Sequence, residues 1–335
     1  MLRSLRILAI AALVPASAAG QGTSPIRPVA TYSIVARDSA TGEIGVAVQS
    51  HWFSVGTAVP WAEAGVGAVA TQSFTEPSYG PLGLELMRMG RSAPEALRAL
   101  VSTDADSAVR QVAMVDARGR VAGYTGKRNI VAAGNVSGAQ YSVQANLMDR
   151  TTVPQAMARA FESARGDLAD RLMQALEAAQ REGGDIRGRQ SAAMVVVGPT
   201  NTGRPWNDRI VDLRVEDNPE PLVELRRLLT LSRVYRKLNE GDAAVTRNDM
   251  AAAAAAYGAA TSILPDSATN GEAVFWTGIA YASAGRIDDA LPYLRRAHAV
   301  HPRWAELVRR LPAAGLLPND PGLVERLVTG MAARR

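Results

Sequence analysis

Thr31 is the residue in this chain whose position would allow one side chain to act as a complete catalyst. It begins the first strand-like run, residues 31–38. At the free amino end of a chain, a threonine hydroxyl is a nucleophile and the α-amine of the same residue is its base. Such a site hydrolyses amides through an acyl-enzyme and needs no histidine, metal or cofactor. The chemistry requires cleavage of the Ala30–Thr31 bond, because thirty residues precede Thr31. Uncleaved, Thr31 simply begins a strand, where threonine is common.

The residues at the start of the chain have the pattern of a secretory signal peptide. Arg3 and Arg6 make the beginning basic, residues 7–14 are apolar, and small residues follow in an Ala-x-Ala arrangement. The apolar run is far shorter than the roughly 20 residues that span a bilayer. We therefore predict a signal peptide over residues 1–19, export to the periplasm or the extracellular space, and no membrane span once the signal is removed.

A short linker or pro-segment, residues 20–30, is predicted between the signal peptide and Thr31. It is rich in small and polar residues and contains Pro25 and Pro28, which favours an unstructured segment. Signal peptidase is expected to cut after Ala18 or Ala19. A second cleavage is then needed to free Thr31.

Composition excludes several classes of site and partner. The chain has 335 residues, 47% of them hydrophobic, which is enough for about two domains with buried cores. It has no Cys, so disulfides, thiolate metal sites and cysteine nucleophiles are excluded. The net charge is +5, the basic residues are scattered along the chain, and few aromatic residues lie among them. This pattern argues against a nucleic-acid partner.

From Thr31 to about residue 219, strand patterns dominate and helix patterns interrupt them. Strands are predicted over residues 31–38, 43–50, 65–73, 109–116, 120–125, 140–147, 191–198 and 209–215. Helices are predicted over residues 81–100, with a break near Gly90, and over 153–164 and 168–182. Short turns between consecutive strands indicate antiparallel sheets. Two sheets with helices on their outer faces would bury these runs.

The segment from residue 220 to 335 has no strand pattern. A helix is predicted over 221–239. The residues that follow match the spacing of a tetratricopeptide repeat at Gly278, Tyr281, Gly285, Ala290, Leu294, Ala297 and Pro302. A weaker repeat precedes it, and residues 304–311 are expected to form a capping helix. A plain helical hairpin that matches by chance remains the alternative. The segment is predicted to dock on the first domain and to mediate a protein contact or self-association.

Seven segments of the first domain resemble one bacterial family. They are residues 31–36, 43–48, 64–72, 79–81, 144–146, 183–191 and 208–215. The family is domain of unknown function 1028, which is assigned to the N-terminal nucleophile (Ntn) hydrolase superfamily. The resemblance covers about residues 31–229 and implies an α+β fold, an αββα four-layer sandwich. In many members the threonine matching Thr31 directly follows the initiator methionine, whereas here a signal peptide and linker precede it.

Given the resemblance, five polar residues join Thr31 as candidates. Asn146 is predicted to donate to the oxyanion of an acyl-transfer intermediate, or else to cap a turn. Thr71 and Gln72 are further candidates near the substrate. Ser33 and Ser50 could support Thr31 by hydrogen bonding, although ordinary alternation along a strand also explains them.

The polar, glycine-rich loop over residues 183–191 supplies the remaining candidates. Asp185, Arg187 and Arg189 lie in it. Arginine binds carboxylates through two parallel hydrogen bonds, so these residues are predicted to bind a substrate carboxylate. An internal Asp–Arg network that braces the loop explains them equally well.

The sequence thus favours an exported amidohydrolase that cleaves a small amide or peptide through Thr31, with residues 31–219 as the Ntn-like domain and 220–335 as the helical tail. No cofactor or metal is expected. The alternative is a catalytically inactive Ntn-fold scaffold that acts through its helical tail.

Overall fold

Two antiparallel sheets form the first part of the molecule. The computed structural model describes residues 31–247 and 249–333. The strands are β1 (Thr31–Arg37), β2 (Ile44–Ser50), β3 (Pro60–Glu63), β4 (Gly67–Ser73), β5 (Arg110–Asp116), β6 (Val121–Thr125), β7 (Gly134–Gly138), β8 (Tyr141–Asn146), β9 (Ser191–Val197) and β10 (Arg209–Val215). Six strands form one sheet in the order β10-β9-β2-β1-β8-β7, and four form the other in the order β3-β4-β5-β6.

Helices cover the outer faces of the sheets and make up the end of the chain. They are α1 (Tyr79–Arg88), α2 (Ala93–Thr103), α3 (Val153–Ser163), α4 (Leu168–Arg181), α5 (Pro205–Asp208), α6 (Pro221–Thr246), α7 (Met250–Ile263), α8 (Glu272–Ser283), α9 (Ile287–Val300), α10 (Trp304–Arg310) and α11 (Pro321–Ala332). After β10 the described residues contain no strand.

Alternation along the strands divides the apolar residues between two faces. On β1, Val35 faces the second sheet and packs with Val46 of β2 and Ala113 of β5. Ile34 faces the other way, into a cluster with residues of α3 and α4 such as Leu172. A separate cluster joins the outer face of the four-stranded sheet to α1 and α2. Each sheet is therefore covered on both faces, and almost every residue of its central strands is buried.

β1 lies in the middle of the six-stranded sheet, between β2 and β8. Its first residue, Thr31, lies opposite Ser50 at the end of β2 and opposite Asn146 at the end of β8. The β1–β2 and β5–β6 hairpins predicted from the sequence are confirmed by these antiparallel ladders. The predicted helix over 81–100 is two helices, α1 and α2, separated at Gly90 as expected.

The sequence did not predict two short strands, β3 and β7. Both are edge strands, each paired on one side only. β7 has the sequence Gly-Asn-Val-Ser-Gly, and β3 begins with Pro60. Neither has an apolar alternation of its own, so pairing with β4 and β8 explains their extended conformation better than local propensity does.

α6 joins the two parts of the molecule. It continues to Thr246, beyond the end predicted at residue 239. Leu222, Leu225 and Leu229 on its first half pack into the cluster that lies over the six-stranded sheet. Its second half contributes Leu238 to a cluster shared with α7.

The helix predicted over 304–311 is α10, and α11 follows it and packs on α9 and α10. None of the described helices is both long and apolar enough to cross a membrane.

Candidate functional site

Seven buried polar side chains lie between the two sheets at the end where Thr31 begins β1. We call them the polar layer: Thr31, Ser33, Ser50, Gln72, Gln111, Gln144 and Asn146. Each is completely inaccessible to solvent. They come from five strands, β1, β2, β4, β5 and β8, and face the space between the sheets. On β1, β2, β4 and β5 they lie in step with inward apolar residues, and on β8 they alternate with apolar residues that face the helices.

Thr31 and Ser33 are linked to both sheets within this layer. Thr31 Oγ1 donates a hydrogen bond to Ser50 Oγ at 3.2 Å. Ser33 Oγ donates to Gln72 Oε1 at 2.6 Å and accepts from Gln144 Nε2 at 2.5 Å. Gln72 Nε2 in turn donates to the carbonyl oxygen of Thr31 at 3.2 Å. The backbone and side chain of Thr31 are therefore held by hydrogen bonds from both sheets.

Gln111 is the centre of the layer, although the sequence did not single it out. Its Oε1 accepts from Gln72 Nε2 at 2.7 Å and from Asn146 Nδ2 at 2.9 Å. Its Nε2 donates to Thr125 Oγ1 at 2.9 Å and to the carbonyl oxygen of Ala145 at 2.9 Å. The signal that could have identified it is alternation. Gln111 falls in phase with the apolar residues of a buried strand, where an amide requires partners.

Two acceptors of the layer have no hydrogen-bond partner among the described residues. They are Asn146 Oδ1 and Gln144 Oε1, both fully buried. A buried acceptor left unpaired costs about 1–3 kcal/mol. Such a cost is unusual in a folded protein and is more often tolerated at a site that binds or reacts than in a purely structural core.

Backbone strain accompanies the layer. Ser73, which follows Gln72, has φ of 72°, and Leu147, which follows Asn146, has φ of 56°. A left-handed conformation costs a non-glycine residue about 1–2 kcal/mol, and for a residue as large as leucine it is uncommon. Strained residues of this kind cluster at functional sites. Here two of them directly follow two members of the layer.

The polar layer consists of hydroxyl and carboxamide groups and contains no ionisable side chain. Tyr32, the neighbour of Thr31, points to the opposite face of β1, where its hydroxyl donates to Gln180 Oε1 at 2.9 Å. Burial, reinforced by the charge of Asp185, raises the pKa of Tyr32 well above its usual value. The phenol is therefore neutral at physiological pH and lies on the wrong face to take a proton from Thr31.

The structure separates Thr71 from Gln72, its neighbour in the predicted site. Gln72 belongs to the polar layer, whereas Thr71 lies on the outer face of β4. There its hydroxyl donates to the carbonyl oxygen of Glu76 at 3.1 Å, just before α1. The candidates that the structure brings together are thus Thr31, Ser33, Ser50, Gln72 and Asn146.

Asp185 and Arg187 form an ion pair at the same end of the molecule. The buried carboxylate of Asp185 accepts from Arg187 Nη2 at 2.9 Å and from the backbone N–H of His51 at 3.0 Å. Arg189 makes an ion pair with Glu220 on the surface. The contacts of Asp185 brace the loop against the chain that follows Ser50. Binding of a substrate carboxylate by these arginines stays a prediction.

No group of three or more His, Asp or Glu residues that could hold a metal ion occurs in the part of the chain that the structure describes. With no Cys in the sequence, thiolate ligands are excluded throughout.

The fold and site define an α+β protein whose two antiparallel sheets enclose a polar layer and whose chain ends in helices. Residues 31–225 match the model of a family described as "Family of unknown function (DUF1028)". The chain belongs to this family. It is also similar to a crystal structure of the protein SPO2555 from Silicibacter pomeroyi, described as a member of the same family. The two chains are 30% identical with a TM-score of 0.54, over 62% of this chain and 86% of that one. A comparison with curated proteins finds no match.

Proposed function

We propose that the protein is an amidohydrolase of the Ntn type, with an αββα sandwich and Thr31 as its nucleophile. The observation that carries the proposal is the position of Thr31. It is the first residue of the central strand β1, and its hydroxyl faces a polar layer fixed by five strands. The layer has no ionisable side chain to serve as a base. The α-amine that cleavage before Thr31 would release supplies this base.

The proposed reaction proceeds in two steps. The α-amine of Thr31 takes the proton of Oγ1 while Oγ1 attacks the carbonyl carbon of the substrate amide. Collapse of the intermediate breaks the C–N bond, and the proton passes to the leaving amine. The resulting ester on Oγ1 is hydrolysed by water, which yields a carboxylic acid and restores Thr31. Asn146 is the residue we assign to the oxyanion, because its Nδ2 group has a second N–H besides the one donated to Gln111.

The unpaired acceptors of the layer support the same proposal. A free α-amine at Thr31 carries more N–H donors than the peptide nitrogen it replaces. Asn146 Oδ1 and Gln144 Oε1 belong to the two β8 residues that lie opposite Thr31 and Ser33. Donors from a free amine would relieve the cost of burying these oxygens.

The test is the amino-terminal sequence and intact mass of the protein isolated from its native compartment. A chain that starts at Thr31 is expected. A chain that starts at residue 19 or 20 and remains intact would rule out catalysis by an N-terminal threonine. Thr31→Ala is expected to abolish cleavage at Ala30–Thr31 if the site cuts itself. Thr277→Ala, which removes another buried threonine hydroxyl in α8, serves as the matched control.

The same measurement tests export. The signal peptide proposed over residues 1–19 lies outside the described residues, as does the linker over 20–30. We propose a periplasmic or extracellular location. A protein recovered only from the cytoplasm with Met1 or Leu2 at its start would contradict this.

A second candidate function is supported by the helical tail, which we propose to be tetratricopeptide-like. A groove of about 420 Å³ lies between α6 and α8, and its lining includes Tyr235, Trp276 and Leu316. Tyr235 and Leu316 are exposed there. In this alternative the first domain is an inactive scaffold and the tail mediates self-association. Sedimentation equilibrium would then show an oligomer that Trp276→Ala dissociates and Thr31→Ala leaves intact.

A further inference from the structure

Three loops at the Thr31 end of the molecule each expose one large apolar side chain. Phe53 follows β2, Val131 precedes β7 and Ile186 precedes β9. Their exposed fractions are 64%, 83% and 61%. We call these three residues the apolar rim. Single exposed apolar residues are ordinary on any protein surface. Three of them form a candidate binding surface only if their loops are neighbours.

Hydrogen bonds from backbone N–H groups join the three loops in series. The N–H of His51 donates to Asp185 Oδ2 at 3.0 Å, which links the Phe53 loop to the Ile186 loop. The N–H of Ile186 donates to the carbonyl oxygen of Leu147 at 3.2 Å, and the next residue, Met148, donates to Ala132 at 3.3 Å. We call the three loops, together with residues 147–148 that connect two of them, the belt. The three residues of the rim lie along it.

The belt lies at the end of the sheet where Thr31 begins β1. Ser50 and Asn146 are the two residues opposite Thr31 in the sheet, and the next residue after each, His51 and Leu147, belongs to the belt. The two arginines that follow Ile186 already have carboxylate partners: Arg187 pairs with Asp185, and Arg189 with Glu220. In this loop the exposed side chain of Ile186 therefore offers a substrate apolar surface.

We infer that the substrate of Thr31 is an amide with an apolar acyl group, and that Phe53, Val131 and Ile186 bind this group. The inference rests on the proposed amidohydrolase function and specifies its substrate class. In both self-cleavage and turnover, Thr31 Oγ1 becomes esterified by the group on the acyl side of the amide. The residues on the acyl side of the Ala30–Thr31 bond, Pro28 and Val29, are apolar as well.

The test is a series of acyl p-nitroanilides, from acetyl through butanoyl and hexanoyl to octanoyl, with the chain that begins at Thr31. Each methylene that enters apolar contact contributes about a threefold to fourfold gain in affinity. We expect kcat/KM to rise by about that factor per methylene until the rim is filled. Phe53→Ser and Ile186→Ser are expected to flatten this dependence on chain length. Trp206→Ser, which removes a large exposed side chain beside β10, is expected to leave it unchanged.

The outcomes separate the two proposals. Hydrolysis at a rate independent of acyl length, or an unchanged length dependence in both rim variants, would overturn the inference while leaving the amidohydrolase intact. No hydrolysis of any member by the chain that begins at Thr31 would overturn the amidohydrolase. Calorimetric titration with octanamide and acetamide then tests whether the rim binds an apolar acyl group. Binding of octanamide alone, lost in Phe53→Ser and retained in Trp206→Ser, supports it, and equal or absent binding of both overturns it.

Discussion

At the scale of single residues, the polar layer shows how a buried site is built from neutral groups. Hydrogen bonds link four amides and three hydroxyls across two sheets, with Gln111 accepting from both Gln72 and Asn146. Alternation in the sequence indicates which side of a strand each residue occupies. It does not indicate that Gln72 and Asn146, which lie 39 and 35 positions from Gln111 along the chain, both donate to Gln111 Oε1. That contact depends on how the two sheets stack. Gln72 was predicted because it lies in a segment that resembles the family, and Gln111 lies outside all seven of those segments.

Replacement of Gln111 tests this network. Gln111→Ala removes the acceptor of Asn146 Nδ2 and the shortest of the hydrogen bonds made by Gln72 Nε2, and it takes a side-chain donor from the carbonyl oxygen of Ala145. We expect the free energy of unfolding to fall by about 3 kcal/mol, because several hydrogen bonds are lost together in a fully buried space. Urea denaturation measures the change. Gln174→Ala, which removes an exposed amide on α4, should change stability by less than about 0.5 kcal/mol. If Gln111→Ala and Gln174→Ala change the free energy of unfolding equally, the hydrogen bonds of the polar layer contribute no stability.

Asp104 pairs with Arg110, the first residue of β5, and makes the stability of the protein depend on pH. Burial acts to raise its pKa, but hydrogen bonds from Arg110 and from the backbone N–H of Asp106 outweigh burial and hold the pKa below its usual value. A carboxyl with a lowered folded pKa stabilises the fold above its unfolded pKa of about 3.9. This stabilisation is lost as the pH falls through the folded pKa.

Asp104→Asn should therefore destabilise the protein at pH 7 by about 2 kcal/mol, because Arg110 is buried and loses a charged partner at 2.8 Å. The difference from the wild type should shrink as the pH falls below about 4. Urea denaturation at a series of pH values measures it. Asp106→Asn is the matched control, since Asp106 lies 3.9 Å from Arg110 and is largely exposed. A difference that stays constant with pH would contradict the role of the Asp104 charge.

At the scale of elements, local signals predicted most boundaries and failed where pairing decides the conformation. The sequence Ser92-Ala93-Pro94-Glu95 has the Ser-x-x-Glu pattern that is typical of a helix start, and α2 begins there with both hydrogen bonds of a capping box. β3 and β7 were missed because they are short edge strands that depend on their neighbours. α6 was predicted to end too early, because the apolar face of its second half packs on a helix, α7, that the sequence showed only weakly.

The cap of α2 gives a prediction with a natural control. Ser92→Ala removes the acceptor for the N–H of Glu95 and should lower the free energy of unfolding by about 1 kcal/mol. Ser78 precedes α1 in the equivalent position but makes no capping hydrogen bond with its side chain. Ser78→Ala should therefore change stability by only a few tenths of a kcal/mol. Thermal unfolding of both variants, followed by circular dichroism, compares the two serines. Equal losses would mean that the cap of α2 does not act as the geometry indicates.

At the scale of the whole molecule, α6 makes the two parts one structure. The boundary predicted at residue 219 falls just before this helix, and the family match ends within it, at residue 225. The first half of α6 belongs physically to the sandwich: Arg226 pairs with Asp170 and Glu177 of α4. A boundary drawn from composition cannot show this, because a helix that belongs to a sandwich and one that belongs to a helical tail have the same sequence pattern.

Two truncations distinguish where the first domain ends. A chain that stops at Arg233 keeps the three buried leucines of α6 and its ion pairs to α4, and it is expected to unfold cooperatively in urea. A chain that stops at Asn218 exposes the surface that Leu222, Leu225 and Leu229 cover. Burial of each leucine stabilises by about 1.5–3 kcal/mol, so the loss, about 4.5–9 kcal/mol, is comparable to the whole stability of a domain. The shorter chain should therefore lack a cooperative transition. If both chains unfold at the same urea concentration, α6 is only a linker and the domain ends with β10.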